Sequence, residues 1–323
     1  MFIQLENKGA LKKLLVGDFQ AQWDQGLVLG AGLTFQKQVI TGPRKVHLGI
    51  IPHTGTREYD YYRGIGIEFQ SKGFLISSIV SYRKLDAQIL EPDSVDILSR
   101  SVPSILKTGL HRTQLELSRR SQLPELLLGM HVSRSWSRKL TTSLSSAIRR
   151  FAIPLIPAPT LHNAIAFSGN HNLNYSGNIE YQLNNMNLFG QVAFSNNRAW
   201  AAIAGLIVGL SHKVSMMLLV RNYHKEYHSI SSNAYGTVTG NTNEQGIYWG
   251  FQFAPSPRWS FGSSTDFYRL PFATFSSDES KHGHQQLVRI QFKPAKNGYL
   301  DFYWRNRKRL VNHKTNSTKL THD

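Results

Sequence analysis

Histidine-rich segments are the part of this chain whose residue types could do chemistry. His224 and His228 flank Glu226, whereas the helix of a zinc protease carries its glutamate directly after the first histidine. This segment also follows a strand pattern rather than a helical one. His282 and His284 surround a glycine in a polar stretch, which is typical of a solvated loop. We therefore predict no metal site and no metal ligands.

Other catalytic patterns are equally weak. The segment Gly64–Gly66 lacks the third glycine and the following helix of a dinucleotide-binding loop, and no serine has the Gly-x-Ser-x-Gly setting of a nucleophile elbow. His131 and Ser133 share one strand face, but residues two apart on a strand lie about 6–7 Å from each other. The sequence therefore predicts no enzyme, no catalytic residues and no cofactor.

Charged side chains instead recur at every second position, opposite apolar ones. Successive strand residues point to opposite faces of a sheet, so these charges belong to one face. If the apolar face meets lipid, the charged face must look inward, because a lipid-facing Arg or Lys at the bilayer centre costs about 2–4 kcal/mol. The predicted inward, lumen-facing residues are Asp18, Glu68, Arg83, His131, Arg149, Glu180, Arg221, Asp266, Arg289, Asp301 and Arg305. Two interpretations stay open: a polar pathway that selects solutes, or an interior packed with ion pairs.

Residues 246–310 show the alternation most clearly, as four consecutive strands. Their apolar face is rich in aromatic residues, and the opposite face is polar, charged or glycine. The predicted lipid-facing residues are Ile247, Trp249, Phe251, Phe253, Phe261, Val288, Ile290, Phe302 and Trp304.

The whole chain repeats this pattern, giving about 12–14 strands in which short turns alternate with long loops. That asymmetry is typical of outer-membrane barrels. The predicted fold is therefore all-β: an antiparallel transmembrane β-barrel, possibly incomplete, forming a single domain over residues 1–323. Residues 86–124 form a long loop or plug-like excursion, in which Thr113 could open a short helix. Residues 26–35 read as a strand or a bend, and residues 311–323 as a polar tail.

Composition limits the partners. The 323 residues contain no cysteine and only 18% charged residues, and 37 Lys and Arg against 20 Asp and Glu give a net charge of +17. A basic balance suggests nucleic acid, but basic loops also meet anionic lipid headgroups. Because the positive charges concentrate only at 305–309, nucleic acid is possible but not favoured. The predicted partners are membrane lipid, lipopolysaccharide and possibly other outer-membrane subunits; no small-molecule ligand is identified.

Several segments resemble one family, the barrel portion of bacterial outer-membrane proteins that carry helix-hairpin-helix repeats ahead of the barrel. The matching segments are Leu15–Gly30, Tyr62–Gly64, Thr108–Thr113, Arg221–Tyr227, Asn243–Tyr248 and Pro255–Trp259. The resemblance implies outer-membrane localisation, and the repeats, which are absent here, imply contact with DNA. It also implies a longer protein. Met1–Glu6 has no features of a signal peptide, and Asn316–Asp323 is polar without a terminal aromatic residue, so we expect truncation at both ends.

These observations predict an outer-membrane β-barrel with a structural, pore, or transport and assembly role, and without chemistry of its own. One alternative is a DNA-handling outer-membrane channel of the uptake type. The other is a soluble β-sheet binding protein, which would have to cover Trp249, Phe251, Phe261 and Phe302 with other protein.

Overall fold

The computed structural model of the chain describes residues 1–32, 38–55, 59–91, 100–238, 240–274, 279–295, 298–312 and 318–322. These residues contain eighteen strands and one short α-helix. The strands are β1 (Phe2–Lys8), β2 (Leu11–Gln22), β3 (Gly49–Pro52), β4 (Tyr62–Ser71), β5 (Phe74–Leu85), β6 (Ala87–Leu90), β7 (Ser101–Ile105), β8 (Leu123–Ser135), β9 (Leu140–Leu155), β10 (Gly169–Leu183), β11 (Met186–Ser195), β12 (Trp200–Ser211), β13 (Val214–Tyr223), β14 (Glu244–Ser256), β15 (Trp259–Leu270), β16 (Lys281–Ala295), β17 (Gly298–Asn312) and β18 (Thr318–His322). The helix is α1 (Gln114–Ser118), and a 3-10 turn covers Leu161–Asn163.

Fourteen long strands form one antiparallel meander. The order is β1, β2, β4, β5 and then β8 to β17, each paired with the next, and β18 pairs with β17. The short strands β3, β6 and β7 lie at the loop ends of this sheet. The predicted all-β class is confirmed; the fourteen long strands match the predicted 12–14, and β3, β6, β7 and β18 are additional short strands.

The two ends of the meander differ in the length of their connections. One end has tight turns, such as Lys72-Gly73, where both residues have positive φ angles of 47° and 82°; such turns match the twist of the flanking strands. The other end has long connections at 23–61, 86–122, 156–168 and 224–243. In outer-membrane barrels the short turns lie on the periplasmic side and the long loops outside.

On strands such as β10 the exposed face is apolar and the buried face is polar, the reverse of a soluble sheet. On β10, Asn172, Asn174 and Ser176 are buried, whereas Tyr175 and Ile179 are about half exposed, at 47% and 51%. The alternation of side chains along a strand accounts for this. The apolar side chains therefore point away from the interior.

Several local predictions need correction. Residues 26–29 and 32 form bends, as one of the two alternatives predicted, and this segment folds into the interior; residues 33–37 lie outside the described residues. His282 and His284 belong to β16 rather than to a loop. The start of α1 was predicted correctly: Thr113 and Glu116 form a reciprocal capping box. The helix ends at Ser118, and Leu123 begins β8.

Candidate functional site

The interior of the barrel is occupied by the segment that follows β2. We call residues 23–32 and 38–48 the inner loop. Trp23, Leu27 and Leu29 in this loop are fully buried and pack with inward apolar side chains of the wall, including Ile79 and Leu219. Burial of large apolar side chains is the main stabilising contribution in a folded protein. The inner loop therefore supplies an apolar core inside the barrel.

The inner loop contacts several strands that are separated along the meander. The amide of Leu27 donates to Gln191 Oε1 on β11 at 3.2 Å, and Arg44 forms an ion pair with Glu180 on β10 at 2.9 Å. The hydroxyl of Tyr248 on β14 donates to the carbonyl oxygen of Val39 at 2.6 Å. One short segment touches strands so far apart in the meander because the sheet curves around it.

A glycine on β14 allows the inner loop to approach the wall. A Cβ atom added to Gly250 would lie only 2.6 Å from the carbonyl oxygen of Val39. Any side chain at this position would collide with the loop, so the loop can pack against β14 only because residue 250 is glycine.

A second loop, residues 224–238 and 240–243, lies against the first. We call it the companion loop. The amide of Gly30 donates to the carbonyl oxygen of Ser231 at 2.9 Å. The amide of Asn233 donates to the carbonyl oxygen of Gly26, also at 2.9 Å. The hydroxyl of Tyr227 donates to the carbonyl of Leu27 at 2.8 Å. The two loops therefore form one connected layer across the interior.

Cavities lie on either side of this layer. The larger, of about 700 Å³, opens at the long-loop end and is lined in part by Tyr59, Tyr61, Arg83, Lys107 and Arg149. The smaller, of about 180 Å³, lies toward the short-turn end. Its lining is mostly polar and includes Gln38, Thr41, Gln252, Arg289 and Gln291. The inner loop lines both cavities, and the companion loop lines the larger one.

The larger cavity is basic and aromatic. The ammonium of Lys107 lies 5.1 Å from the centre of the Tyr59 ring. Burial lowers the pKa of Lys107 and raises the pKa of the Tyr59 hydroxyl, because both groups lose water around their charged forms.

Two buried ionic clusters fasten the wall. Arg83 donates to Glu125 at 2.6 Å and to backbone carbonyls of Tyr59 and Tyr61. Arg149 also pairs with Glu125 and donates to Ser231 of the companion loop. A buried carboxylate shared by two guanidinium groups is satisfied on both oxygens.

The second cluster is centred on Arg221. Its Nε lies 2.6 Å from Glu244, and its Nη1 and Nη2 lie 2.8 and 3.1 Å from the two carboxylate oxygens of Asp266. Tyr235 of the companion loop donates to the same carboxylate at 3.1 Å. The side chains of Arg221 and Glu244 are fully buried.

Seven of the predicted lumen-facing residues are buried in the structure: Asp18, Glu68, Arg83, His131, Arg149, Arg221 and Asp266. Asp18, however, shares its strand face with the exposed Val16 and pairs with Arg63, whose side chain is 59% exposed. Glu180 is half-buried against Arg44. Arg289 and Asp301 pair with each other at 2.6 Å with their side chains about a fifth exposed, and Arg305 is exposed.

The predicted lipid-facing residues lie on the opposite face. Seven of the nine are exposed, from 36% for Val288 to 65% for Phe302. The other two, Phe251 and Ile290, are partly buried. No layer of the described chain covers this face.

Several interior residues were not predicted from the sequence. Asp24 accepts hydrogen bonds from Ser143 at 2.7 Å and Ser145 at 2.9 Å, and His47 stacks on His131 with ring centres 4.4 Å apart. Both Asp24 and His47 lie outside the alternating strands, so the period of two could not find them. The only local signal was the apolar, glycine-rich run after Trp23.

The histidines considered as catalytic or metal-binding have other surroundings. His131 contacts Ser145 on β9 at 2.9 Å, not Ser133 on its own strand. His228 contacts the carbonyl of Ile165 at 2.9 Å. Within the described ranges, no helix is long and apolar enough to cross a membrane.

Comparison with known proteins identifies the fold. No family model and no curated protein matches the chain. Among solved structures, the chain is similar to OccK3 (OpdO) of Pseudomonas aeruginosa, with a TM-score of 0.51 and 13% identity, covering 98% of this chain and 75% of that one. OpdQ of the same organism has a TM-score of 0.49 and 12% identity, with coverage of 96% and 75%. The fold is that of an antiparallel transmembrane β-barrel.

Proposed function

We propose that this protein is an outer-membrane β-barrel with a passive pore or transport role and no chemistry of its own. The observation that carries the proposal is the inverted sheet: an apolar exposed face around an interior of buried ion pairs. A bilayer stabilises that arrangement, because the strands inside the meander pair their backbone groups with both neighbours and many of the outward side chains are apolar. The fold shared with OccK3 supports the same role.

In this state the pore is closed. The inner loop and the companion loop separate a cavity of about 700 Å³ from one of about 180 Å³. A solute reaching the larger cavity meets arginine, lysine and tyrosine side chains, a lining that favours anionic groups. Transport then requires the two loops to move aside.

Conductance across a planar lipid bilayer tests this role. The refolded chain is expected to show low conductance, and a variant lacking residues 27–44 is expected to conduct more, because the loop that blocks the interior is gone. Both proteins must first show heat-modifiable migration on gels, which indicates a folded barrel. If the shortened variant folds and inserts but conducts no more than the parent chain, the proposed pore is wrong.

We propose the finer resemblance, to barrels that follow helix-hairpin-helix repeats, as the family of this chain; it rests on the sequence segments alone. A DNA-handling role is the second candidate, favoured by the net charge of +17. Electrostatic binding of DNA weakens steeply with salt because counterions are released. Duplex binding that falls with rising salt would favour that candidate, and negligible binding at all salt concentrations would remove it. A soluble binding protein is disfavoured because Trp249, Phe261 and Phe302 are exposed.

A further inference from the structure

Three side chains that can bind a metal ion meet inside the barrel. They are Asp24 and His47, from the two ends of the inner loop, and His131 from β8. One nitrogen or oxygen of each lies within 4.8 Å of the corresponding atoms of the other two. Zinc–nitrogen bonds of about 2.0–2.1 Å place ligand atoms of a tetrahedral site about 3.3 Å apart. The three groups therefore need to close by about 1.5 Å at most.

The histidine nitrogens at this point are unsatisfied. Nε2 of His131 and both ring nitrogens of His47 are buried and have no hydrogen-bond partner, and His131 as a whole is only 1% exposed. A buried polar group without a partner costs about 1–3 kcal/mol. A bound metal cation would accept the lone pairs of these nitrogens.

The carboxylate beside them lacks a cation. Glu125 and Asp266 are each paired with arginine, but the only ion-pair partner of Asp24 among the described residues is His131, at 3.7 Å between Oδ2 and Nδ1. The hydroxyls of Ser143 and Ser145 orient Asp24 without neutralising it. A divalent cation would supply the missing charge.

Ring stacking positions the two imidazoles. The His131 ring stacks against Trp23, with centres 5.6 Å apart, and against His47, with centres 4.4 Å apart. The wall histidine is thus held in place by the inner loop that carries the other two ligands.

We propose that Asp24, His47 and His131 bind one divalent transition-metal ion of the zinc class. Two imidazoles and one carboxylate are a ligand set that suits Zn²⁺, Cu²⁺ and Ni²⁺ and leaves at least one position open. Since two ligands come from the inner loop and one from the wall, the ion fastens both ends of that loop to β8. The site goes beyond the proposed pore role and does not depend on it.

Zinc binding by the full chain in detergent tests the proposal. The protein is stripped with a chelator, dialysed against Zn²⁺ and analysed for bound metal and affinity. We expect one tightly bound zinc per chain and a loss of at least about tenfold in affinity for His47→Gln, since even partners of metal ligands contribute 10- to 100-fold. His212→Gln, which removes an exposed histidine from the β12–β13 turn, should bind zinc as the parent chain does.

The outcome that overturns the site is equal zinc affinity for the parent chain and His47→Gln, or no tight binding by the parent chain. In that case water fills the space around the histidines. His47 lies in a loop, so its variant tests the site even if Asp24→Asn or His131→Gln fails to fold. Cu²⁺ in the parent chain should give an electron paramagnetic resonance spectrum of two nitrogen ligands, falling to one in His47→Gln; an unchanged spectrum contradicts the assignment.

Discussion

The interior wall of β8–β15 and that of β16–β17 carry the same kinds of side chain but bury them differently. Arg221 and Asp266 form an ion pair with side-chain exposures of 0% and 6%, whereas Arg289 and Asp301 form an equally short pair exposed at 23% and 22%. The loop layer lies against the first pair, and the second borders the small cavity. Alternation along a strand therefore decides which face is inward, and the loops decide what an inward ion pair contributes to stability.

The largest effect on stability is expected at Glu125 on β8, where the companion loop lies against the buried ion pairs. Its replacement by glutamine leaves Arg83 and Arg149 as buried cations without a carboxylate. Breaking a buried pair by removing one partner costs about 3–5 kcal/mol. Urea unfolding of the refolded chain in detergent, followed by tryptophan fluorescence, measures the free energy of unfolding. A loss below about 1 kcal/mol would mean that the buried ion pairs contribute no more to stability than the partly exposed pair on β16–β17.

The outward faces of the two regions should respond alike. Leu218→Arg on β13 and Val288→Arg on β16 both place a charge in lipid, with an expected cost of about 2–4 kcal/mol each for positions near the bilayer centre. Val214→Arg, at the turn end of β13 on the same face, should cost about 0–1 kcal/mol. Folding titrations into lipid vesicles measure these values. Equal costs at positions 214 and 218 would mean that this face does not meet hydrocarbon.

A methyl group tests how tightly the inner loop fits. Gly250→Ala places a Cβ atom 2.6 Å from the carbonyl oxygen of Val39, and overpacking of this kind costs about 1–3 kcal/mol. In the matched variant Gly177→Ala, the nearest atom is 3.8 Å away, on Leu144, so stability should change by less than about 0.5 kcal/mol. The same urea titration compares the two. Similar losses of stability for both variants would mean that the inner loop does not pack against Gly250.

The smallest effect is expected at the partly exposed pair. Asp301→Asn should reduce the free energy of unfolding by at most about 1 kcal/mol, because solvent screens the pair and both side chains lose freedom in forming it. The loss should shrink further in 1 M salt, where the screening length is about 3 Å. A loss as large as that of Glu125→Gln would show that the interior is filled there too.

The sequence predicted the sheet and its two faces but not the contents of the interior. The faces of β10 and β14 follow from a period of two, which local sequence records directly. The contacts of Asp24 join residues 119 and 121 positions apart, and no local pattern encodes such distances. For the same reason the sequence left residues 86–124 as either a long loop or a plug-like excursion, and it did not single out the inner loop as the segment inside the barrel. A glycine such as Gly250 reads only as a polar-face position until the loop opposite it is known.

The hydrogen bonds between Gly30 and Ser231 and between Asn233 and Gly26 bind the two loops edge to edge. Withdrawing either one alone would leave those amides and carbonyls without their partners. If the proposed pore opens by movement of these loops, we expect them to move together, so that a single-channel recording steps between two current levels.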